Sequence, residues 1–240
     1  ATGWYYGNKV YSADTSFTWS VSDALGTIDE DGTFTAVQTG RDVTGTLTVT
    51  YGETSCTLPV TVGSSQPFDD TKGHWAESYI TELYYAGTLQ GSEKNGKLYY
   101  RPDASMTRQE FIVAMMRYLG TDLSAYASVQ LPFDDSGSIA SWAKSAMQAA
   151  YQLGYLTGSK TNGKLLAKPG STISRQEAMT ILSRTKDFAD ADPNVLSAFS
   201  DSGKIADWAR TALAQMTQQK IISGSKGKLN PTGKVTRAEV

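Results

Sequence analysis

The chain has 240 residues, of which 40% are hydrophobic and 19% are charged. These fractions are typical of a soluble globular protein, and no apolar run reaches the roughly 18 residues that a membrane-spanning helix needs. The net charge is only −2, with lysine and arginine interleaved among aspartate and glutamate. The sequence therefore argues against membrane insertion and against nucleic acid as a partner.

Residues 1–63 have the alternation of β-strands. Phe17, Trp19 and Val21 alternate with polar residues, and the segments 47–51 and 56–62 repeat the pattern. A period of two predicts strands with one buried face. Turn signals separate these segments at Asp31-Gly32, Thr39-Gly40 and Tyr51-Gly52. We therefore predict a small all-β sandwich.

Two features of this region suggest chemistry but have simpler explanations. Cys56 is the only cysteine, so no intrachain disulfide can form, and its parity with Leu58 and Val60 predicts a buried thiol. The acidic segment 29–32 lacks the ligand spacing of a calcium loop, and a hairpin turn explains it better.

From Phe68 onward the period becomes helical and the chain repeats itself three times. Trp75, Trp142 and Trp208 lie 67 and 66 residues apart. Each copy shares further landmarks in the same order. These are an aromatic–acidic opening (Phe68 to Asp70, Phe133 to Asp135, Phe199 to Asp201), a Gly-Ser pair (Gly91-Ser92, Gly158-Ser159, Gly224-Ser225) and a proline (Pro102, Pro169, Pro231).

The first helix of each repeat follows the tryptophan. In the first copy one apolar face is predicted from about residue 75 to residue 86, formed by Trp75, Tyr79, Leu83 and Ala86. Gly87 and Gly154 occupy the position where a left-handed residue ends a helix. Lys220 replaces glycine in the third copy, so we expect that helix to end differently.

The second helix begins with Ser or Thr, then Arg, and Glu three residues after the first position. This is a capping box, in which the hydroxyl and the glutamate satisfy backbone amides of the first turn. The arginine lies at N1, where the helix dipole disfavours a cation. Free amides beside a guanidinium suit a carboxylate or phosphate. We therefore predict an anion site at Arg108, Arg175 and Arg237. The alternative is a buried ion pair with a neighbouring acid such as Asp70, Asp135 or Asp201.

Two other landmarks allow more than one interpretation. A tryptophan near the start of an amphipathic helix is usually a core residue, although sugar rings also stack on indole faces. The Gly-Ser pairs are either plain turns or places where backbone amides approach a ligand closely.

No constellation for catalysis or for metal binding is apparent in the sequence. His74 is the only histidine, which leaves no partner for a Ser-His-Asp triad and no histidine-based metal cluster. Paired carboxylates occur, but no pattern separates an acid from a base. We predict a non-catalytic chain without a cofactor.

Two resemblances follow from these residues. The pattern from Phe17 to Val49 resembles bacterial Ig-like domains, with an N-terminal strand missing. From Phe68 through Thr107-Arg-Gln-Glu110, and twice more downstream, residues 67–240 resemble S-layer homology repeats. That family implies an all-α pseudo-threefold helical-repeat domain, so the expected fold is multidomain: an all-β sandwich followed by an all-α repeat domain.

The predicted boundaries follow the landmarks. The Ig-like domain covers residues 1–63, a linker covers 64–67, and the repeats cover 68–121, 131–187 and 197–240. The chain opens without a methionine, as expected of part of a longer protein. It ends one residue after the third glutamate, so we expect the third repeat to lack its second helix and Arg237 to lie on a frayed end.

The S-layer homology resemblance also implies a function. It predicts a secreted module that anchors a protein to the bacterial cell surface by binding a secondary cell-wall polysaccharide between adjacent repeats. We expect the chain, as a fragment, to be a monomer. In many members that polymer carries pyruvylated sugars, whose carboxylate suits the motif arginine. The predicted binding residues are Arg108, Arg175, Arg237, Trp75, Trp142, Trp208, Asp70, Asp135, Asp201, Gly91, Ser92, Gly158, Ser159, Gly224 and Ser225. Two alternatives remain open: the tail of a secreted glycoside-active enzyme, and an S-layer lattice protein.

Overall fold

The computed structural model describes residues 2–5, 8–11, 17–38, 42–63 and 65–240. The chain divides into two compact units, one formed by residues 1–86 and 91–99, the other by residues 87–90 and 100–240. The first repeat therefore contributes residues to both units. The predicted turn at Thr39-Gly40 and the start of the predicted linker at Ser64 lie outside the described residues.

The N-terminal region is built from short antiparallel strands. They are β1 Thr2–Tyr5, β2 Asn8–Tyr11, β3 Phe17–Val21, β4 Gly26–Ile28, β5 Phe34–Ala36, β6 Val43–Tyr51 and β7 Thr54–Val62. Strands β3, β6 and β7 form a three-stranded sheet in the order β3-β6-β7, and β1-β2 and β4-β5 form two-stranded hairpins. The predicted alternation thus corresponds to real strands, while the Ig-like sandwich stays a prediction.

The predicted burial of Cys56 is wrong. The thiol is exposed, and Leu58 on the same face of β7 is 56% exposed. β7 lies at the edge of its sheet, and within residues 17–38 and 42–63 the one buried residue is Leu25. Alternation predicts which residues share a face, but burial also requires something packed against that face.

The acidic segment is a hairpin turn, as predicted. The Asp29 carboxylate accepts hydrogen bonds from the amides of Asp31 (3.1 Å) and Thr33 (2.7 Å) between β4 and β5. An aspartate that binds amides two and four residues ahead stabilises a turn. Gly32 has a φ of +82°, and a Cβ there would lie 2.7 Å from the Trp19 ring.

The repeats contain both helices and strands, so the all-α prediction for this region is wrong. The helices are α1 Glu77–Tyr85, α2 Arg108–Tyr118, α3 Lys144–Gln152, α4 Arg175–Ser183 and α5 Asp207–Gln218. Hairpins lie between the helices of the first two repeats: β8 Ser92–Lys94 with β9 Lys97–Tyr99, and β10 Ser159–Thr161 with β11 Lys164–Leu166.

The hairpins form because their turns contain Asn-Gly pairs. Asn95 and Gly96 have φ values of 54° and 72°, and Asn162 and Gly163 have values of 50° and 77°. Two consecutive left-handed residues are typical of the type I′ turn that suits a two-residue hairpin. The third repeat is four residues shorter here, and a single bridge between Ser225 and Lys228 replaces the strands.

The buried face of α1 differs from the predicted one. Trp75 and Tyr79 are 66% and 65% exposed, whereas Ala76 and Ile80 are buried. The buried stripe therefore lies one position later than predicted. The predicted helical period was correct, but the prediction that the face with the large aromatic residues is buried was wrong.

The first helices all end in a left-handed residue, including the one that lacks glycine. Gly87 and Gly154 have φ values of 76° and 78°, and Lys220 has a φ of 59°. The Lys220 amide donates to Thr217 O (3.0 Å) and the Ile221 amide to Met216 O (2.9 Å). These bonds hold the lysine in an unfavourable conformation, and the expectation of a different ending is wrong.

Replacing this lysine with glycine should stabilise the protein. A non-glycine residue in the left-handed region costs about 1–2 kcal/mol, and glycine removes most of that cost. We expect Lys220→Gly to raise the free energy of unfolding by about 1 kcal/mol in a urea titration. Gly154→Lys, the reverse change at the equivalent position, should lower it. Unchanged stability in both variants would contradict the conclusion that the left-handed conformation of Lys220 is unfavourable.

Candidate functional site

Three loops, one from each repeat, meet through a cyclic set of backbone hydrogen bonds. The Met106 amide donates to Val235 O (3.0 Å), Ile173 to Met106 O (3.0 Å) and Val235 to Ile173 O (3.2 Å). All three side chains are buried. Each repeat therefore contacts both of the others here, and the contacts follow a pseudo-threefold pattern.

The first amides of the second helices also donate to a neighbouring repeat. The Arg108 and Gln109 amides donate to Ser171 O (2.9 Å) and Pro169 O (3.0 Å). The equivalent donors in the other repeats have equivalent acceptors: Arg175 to Gly233, Gln176 to Pro231, Arg237 to Ala104 and Ala238 to Pro102. These N1 and N2 amides, which the sequence suggested as anion donors, thus form inter-repeat bonds.

The predicted capping boxes are present in α2 and α4. In the second, Glu177 Oε2 accepts from the Ser174 amide at 2.8 Å, while its Oε1 accepts from Arg108 Nη1 at 3.0 Å. Glu110 accepts from the Thr107 amide at the start of α2 (2.8 Å), and Glu239 accepts from the Thr236 amide (2.9 Å), where residues 237–239 form a turn and not a helix. Each glutamate therefore uses one oxygen for its own repeat and the other for an arginine of another repeat.

The three motif arginines all lie beside a capping glutamate, but they are held unequally. Arg108 also donates from Nε to Ala167 O (3.0 Å), and its side chain is 11% exposed. Arg237 donates to Tyr100 O (2.8 Å) and Gln90 O (3.0 Å), and lies 4.5 Å from the centre of the Tyr100 ring. Arg237 is therefore fixed in place, contrary to the expectation of a frayed end.

Arg175 is the least constrained of the three. Its Nη1 lies 3.9 Å from Glu239 Oε1, compared with 3.0 Å for the Arg108–Glu177 pair. Its side chain is 26% exposed, against 11% for Arg108 and 12% for Arg237. A contact at that distance is weak and easily exchanged.

Burial and charge act against each other in the Arg108–Glu177 pair. Burial lowers the pKa of Arg108, although Glu177 and Asp135 oppose that effect. Burial also raises the pKa of Glu177, but the hydroxyl and amide of Ser174 and the charge of Arg108 outweigh it, so the net pKa of Glu177 lies below its ordinary value. Glu177 is therefore charged at neutral pH, and an arginine guanidinium is not deprotonated in proteins.

The opening aspartates bind backbone amides. Asp135 accepts from Ala167 and Lys168, each at 2.8 Å, and Asp201 accepts from Leu229 (2.9 Å) and Asn230 (2.8 Å). Burial alone would raise the pKa of Asp201. The hydrogen bonds from the Leu229 and Asn230 amides lower that pKa by more than burial raises it, so the net pKa is below the ordinary value.

The aspartates stabilise an unfavourable backbone. Lys168 and Asn230 each precede a proline and have φ values of 52° and 51°. Residues before proline favour extended conformations, so a left-handed one is strained. The equivalent Asp70 is half-buried.

The predicted alternative of a buried ion pair is realised for Arg108, but the acid that pairs with it is the capping Glu177 and not one of the opening aspartates.

The glycines of the Gly-Ser pairs pack against the opening phenylalanines. A Cβ at Gly91 would lie 2.4 Å from Phe68, and one at Gly158 would lie 2.6 Å from Phe133. Gly224 faces Phe199 in the same way. Packing explains these glycines without a ligand, while Ser92, Ser159 and Ser225 are exposed.

The tryptophans are exposed in all three repeats. Trp75, Trp142 and Trp208 are 66%, 56% and 58% exposed. The interpretation of these residues as core is therefore wrong. Three large indoles kept at a surface at equivalent positions are not explained by packing within the chain.

Sequence reasoning missed one pair of residues beside these tryptophans. Gln109 Oε1 accepts from the Ala140 amide (3.1 Å), and Gln176 Oε1 accepts from the Ala206 amide (3.0 Å). These amides lie two residues before Trp142 and Trp208. The shared glutamine was visible in the motif, but its partner lies about 30 residues away in the next repeat.

Two further observations limit the chemistry. In the ranges that the structure describes, no group of three or more His, Cys, Asp or Glu residues could hold a metal ion. No described helix has the length and apolar character needed to cross a bilayer.

Known proteins resemble the chain over its repeats. Residues 67–112, 132–179 and 198–240 each match the family described as S-layer homology domain. An amylopullulanase from Thermoanaerobacterium thermosulfurigenes is 29% identical over 196 residues, 80% of this chain and 10% of that protein. An endoglucanase from Bacillus sp. (strain KSM-635) is 29% identical over 178 residues, 72% of this chain and 18% of that protein.

A surface-layer 125 kDa protein from Lysinibacillus sphaericus is 33% identical over 133 residues, 53% of this chain and 10% of that protein. The chain thus spans only a tenth to a fifth of the length of these relatives. S-layer homology domains are non-catalytic and anchor proteins to the cell wall by binding its polysaccharide. With three matched copies over more than half of its residues, this chain belongs to the S-layer homology domain family and is a cell-surface anchoring module.

Proposed function

We propose that the anchor recognises a carboxylate-bearing wall polysaccharide, such as one with pyruvylated sugars, between adjacent repeats. The carboxylate binds a motif arginine, and a sugar ring stacks on the exposed tryptophan of the next repeat. The observation that carries this proposal is the threefold exposure of Trp75, Trp142 and Trp208. Indole faces offer large, rigid contact surfaces that suit the C–H faces of sugars.

Arg175 is the arginine best suited to bind the carboxylate. A ligand must displace or share the glutamate partner, and the 3.9 Å contact with Glu239 costs little to give up. Arg108 and Arg237 would have to break shorter bonds to backbone carbonyls. Because Gln176 follows Arg175 and bonds to Ala206, the Trp208 helix start belongs to the same region.

Removing this arginine tests the proposal. A charged hydrogen bond contributes about 1.5–3 kcal/mol, so we expect Arg175→Ala to weaken binding of purified pyruvylated wall polymer at least tenfold. Calorimetric titration against the polymer with and without its pyruvyl groups measures the effect. The same substitution should leave binding of the stripped polymer unchanged.

A matched control removes the same charge elsewhere. Arg117 is exposed near the end of α2, and Arg117→Ala should leave both affinities unchanged. Equal affinity of Arg175→Ala for the pyruvylated polymer, with unchanged thermal stability, would reject Arg175 as the carboxylate site. Loss of binding to both polymers would show that the arginine supports the fold.

A second proposal concerns the longer protein. Relatives of this chain include proteins named amylopullulanase and endoglucanase, of which it matches 10% and 18%. We propose that the chain is the anchoring part of a secreted glycoside-active enzyme. The surface-layer relative supports the lattice alternative, and assembly of the chain into sheets without polysaccharide would favour that alternative.

A further inference from the structure

We infer that Gln109 and Gln176 are positioning residues, which fix the exposed tryptophan of one repeat relative to the motif arginine of the preceding repeat. This inference rests on the proposed function and explains how a two-point site would keep its spacing. Each glutamine directly follows a motif arginine in the chain and bonds to an amide two residues before a tryptophan.

The geometry of the two glutamines is the same. The acceptor-to-amide distances are 3.1 Å at Ala140 and 3.0 Å at Ala206. The backbones of Gln109 and Gln176 are themselves bonded to the neighbouring repeat, at Pro169 O and Pro231 O. Each glutamine thus holds the start of the tryptophan helix from a rigid support.

The helix starts need such an acceptor. Ala140 and Ala206 are the residues at the N-terminal boundaries of these helical segments, and neither supplies a side-chain cap. Their amides would otherwise have no acceptor, which is unfavourable for a partly buried donor. The glutamine therefore supplies from another repeat what the local sequence lacks.

The first repeat satisfies the equivalent amide locally. Gly73 lies two residues before Trp75, and its amide donates to Glu77 Oε2 at 2.7 Å. The third copy of the motif has Ala238 where the other two have glutamine. Glutamine therefore occurs in the two motif copies, the first and the second, that are followed by a tryptophan helix without a local acceptor.

A substitution that removes only the acceptor tests this role. Gln176→Met keeps the length of the side chain, whereas Gln176→Glu keeps the accepting oxygen. We expect the Ala206 amide to lose hydrogen-exchange protection in Gln176→Met and to keep it in Gln176→Glu. Affinity for pyruvylated polymer should fall about 3- to 10-fold in Gln176→Met, the range expected for one net hydrogen bond.

Coupling between the two contacts separates positioning from a general loss of structure. In the native chain, Arg175→Ala and Trp208→Ala should show non-additive losses of polymer affinity, since the two groups hold one ligand. In the Gln176→Met background the losses should become additive. Preserved coupling in that background, or preserved Ala206 protection, would overturn the positioning role.

Failure of the proposed function gives a different result. If neither Arg175→Ala nor Trp208→Ala changes polymer affinity, the two-point site does not exist. If both reduce affinity while Gln176→Met does not, the site stands and the glutamine inference fails. Gln215→Met on α5 is the control, because this glutamine makes only a 3.5 Å contact with Phe188 O.

Discussion

Arg108→Met should lower the free energy of unfolding by about 3 kcal/mol, while Arg175→Met should cost less than about 1 kcal/mol. The two arginines occupy the same motif position. Arg108 is 11% exposed and bonds to Glu177 and to Ala167 O, each at 3.0 Å. Its loss leaves a half-buried carboxylate and a buried carbonyl without their donors, whereas Arg175 gives up one 3.9 Å contact.

Urea titrations of both variants measure this difference. Adding Glu177→Gln to Arg108→Met should recover part of the loss, because it removes the uncompensated charge but keeps an oxygen for the Ser174 amide. Equal losses at Arg108 and Arg175 would contradict the unequal roles described for the two side chains. They would also remove the reason for choosing Arg175 as the ligand-binding arginine.

Gly158→Ala should destabilise the protein by about 3 kcal/mol. Gly158 has a φ of +70°, and a methyl group there would lie 2.6 Å from Phe133 Cε1 and 3.0 Å from Leu166 O. The left-handed backbone costs about 1–2 kcal/mol for alanine, and the steric overlap adds a similar amount. Thermal unfolding followed by circular dichroism measures the change.

Gly163→Ala is the matched control for Gly158→Ala. Its φ of +77° is similar, but no atom lies within 4 Å of the added Cβ, so only the backbone cost applies. The difference between the two variants isolates the contact with Phe133. Adding Phe133→Leu to Gly158→Ala should relieve part of the overlap. Equal melting temperatures for the two single variants would show that Phe133 moves aside without cost.

Patterns within one repeat could be predicted from the sequence. The capping boxes at Thr107 and Ser174 and the left-handed Gly87 and Gly154 depend on residues a few positions apart, and the structure contains them. The threefold repeat was also recognised from the spacing of its landmark residues alone. Local hydrogen bonding determines such features, so local sequence is sufficient to find them.

Contacts between repeats could not be predicted in this way. The partner of Arg108 is 69 residues away, and that of Gln109 is 31 residues away. The prediction of an anion site at N1 assumed that the first amides of the helix face water. The N1 and N2 amides are instead hydrogen-bonded to carbonyls of a neighbouring repeat. The exposure of Trp142 was missed because amphipathic patterns do not distinguish a ligand-facing aromatic residue from a core residue.

The Asn-Gly hairpins are a different case, since their signal was present in the sequence. Asn95-Gly96 and Asn162-Gly163 are strong turn markers, but their flanking strands have only three residues each. Such strands show too few alternations to be recognised by period. The Asn-Gly turn residues therefore predict these hairpins better than the alternation of their strands does.

The cyclic hydrogen bonds among Met106, Ile173 and Val235 fix the number of repeats. In an open solenoid each unit adds to the end of a stack, and the array can grow or shrink by one unit at a time. Here every loop both gives and receives a bond, so the set has neither a first nor a last member. A fourth copy would find no vacant partner, and a pair would leave one donor and one acceptor unmatched.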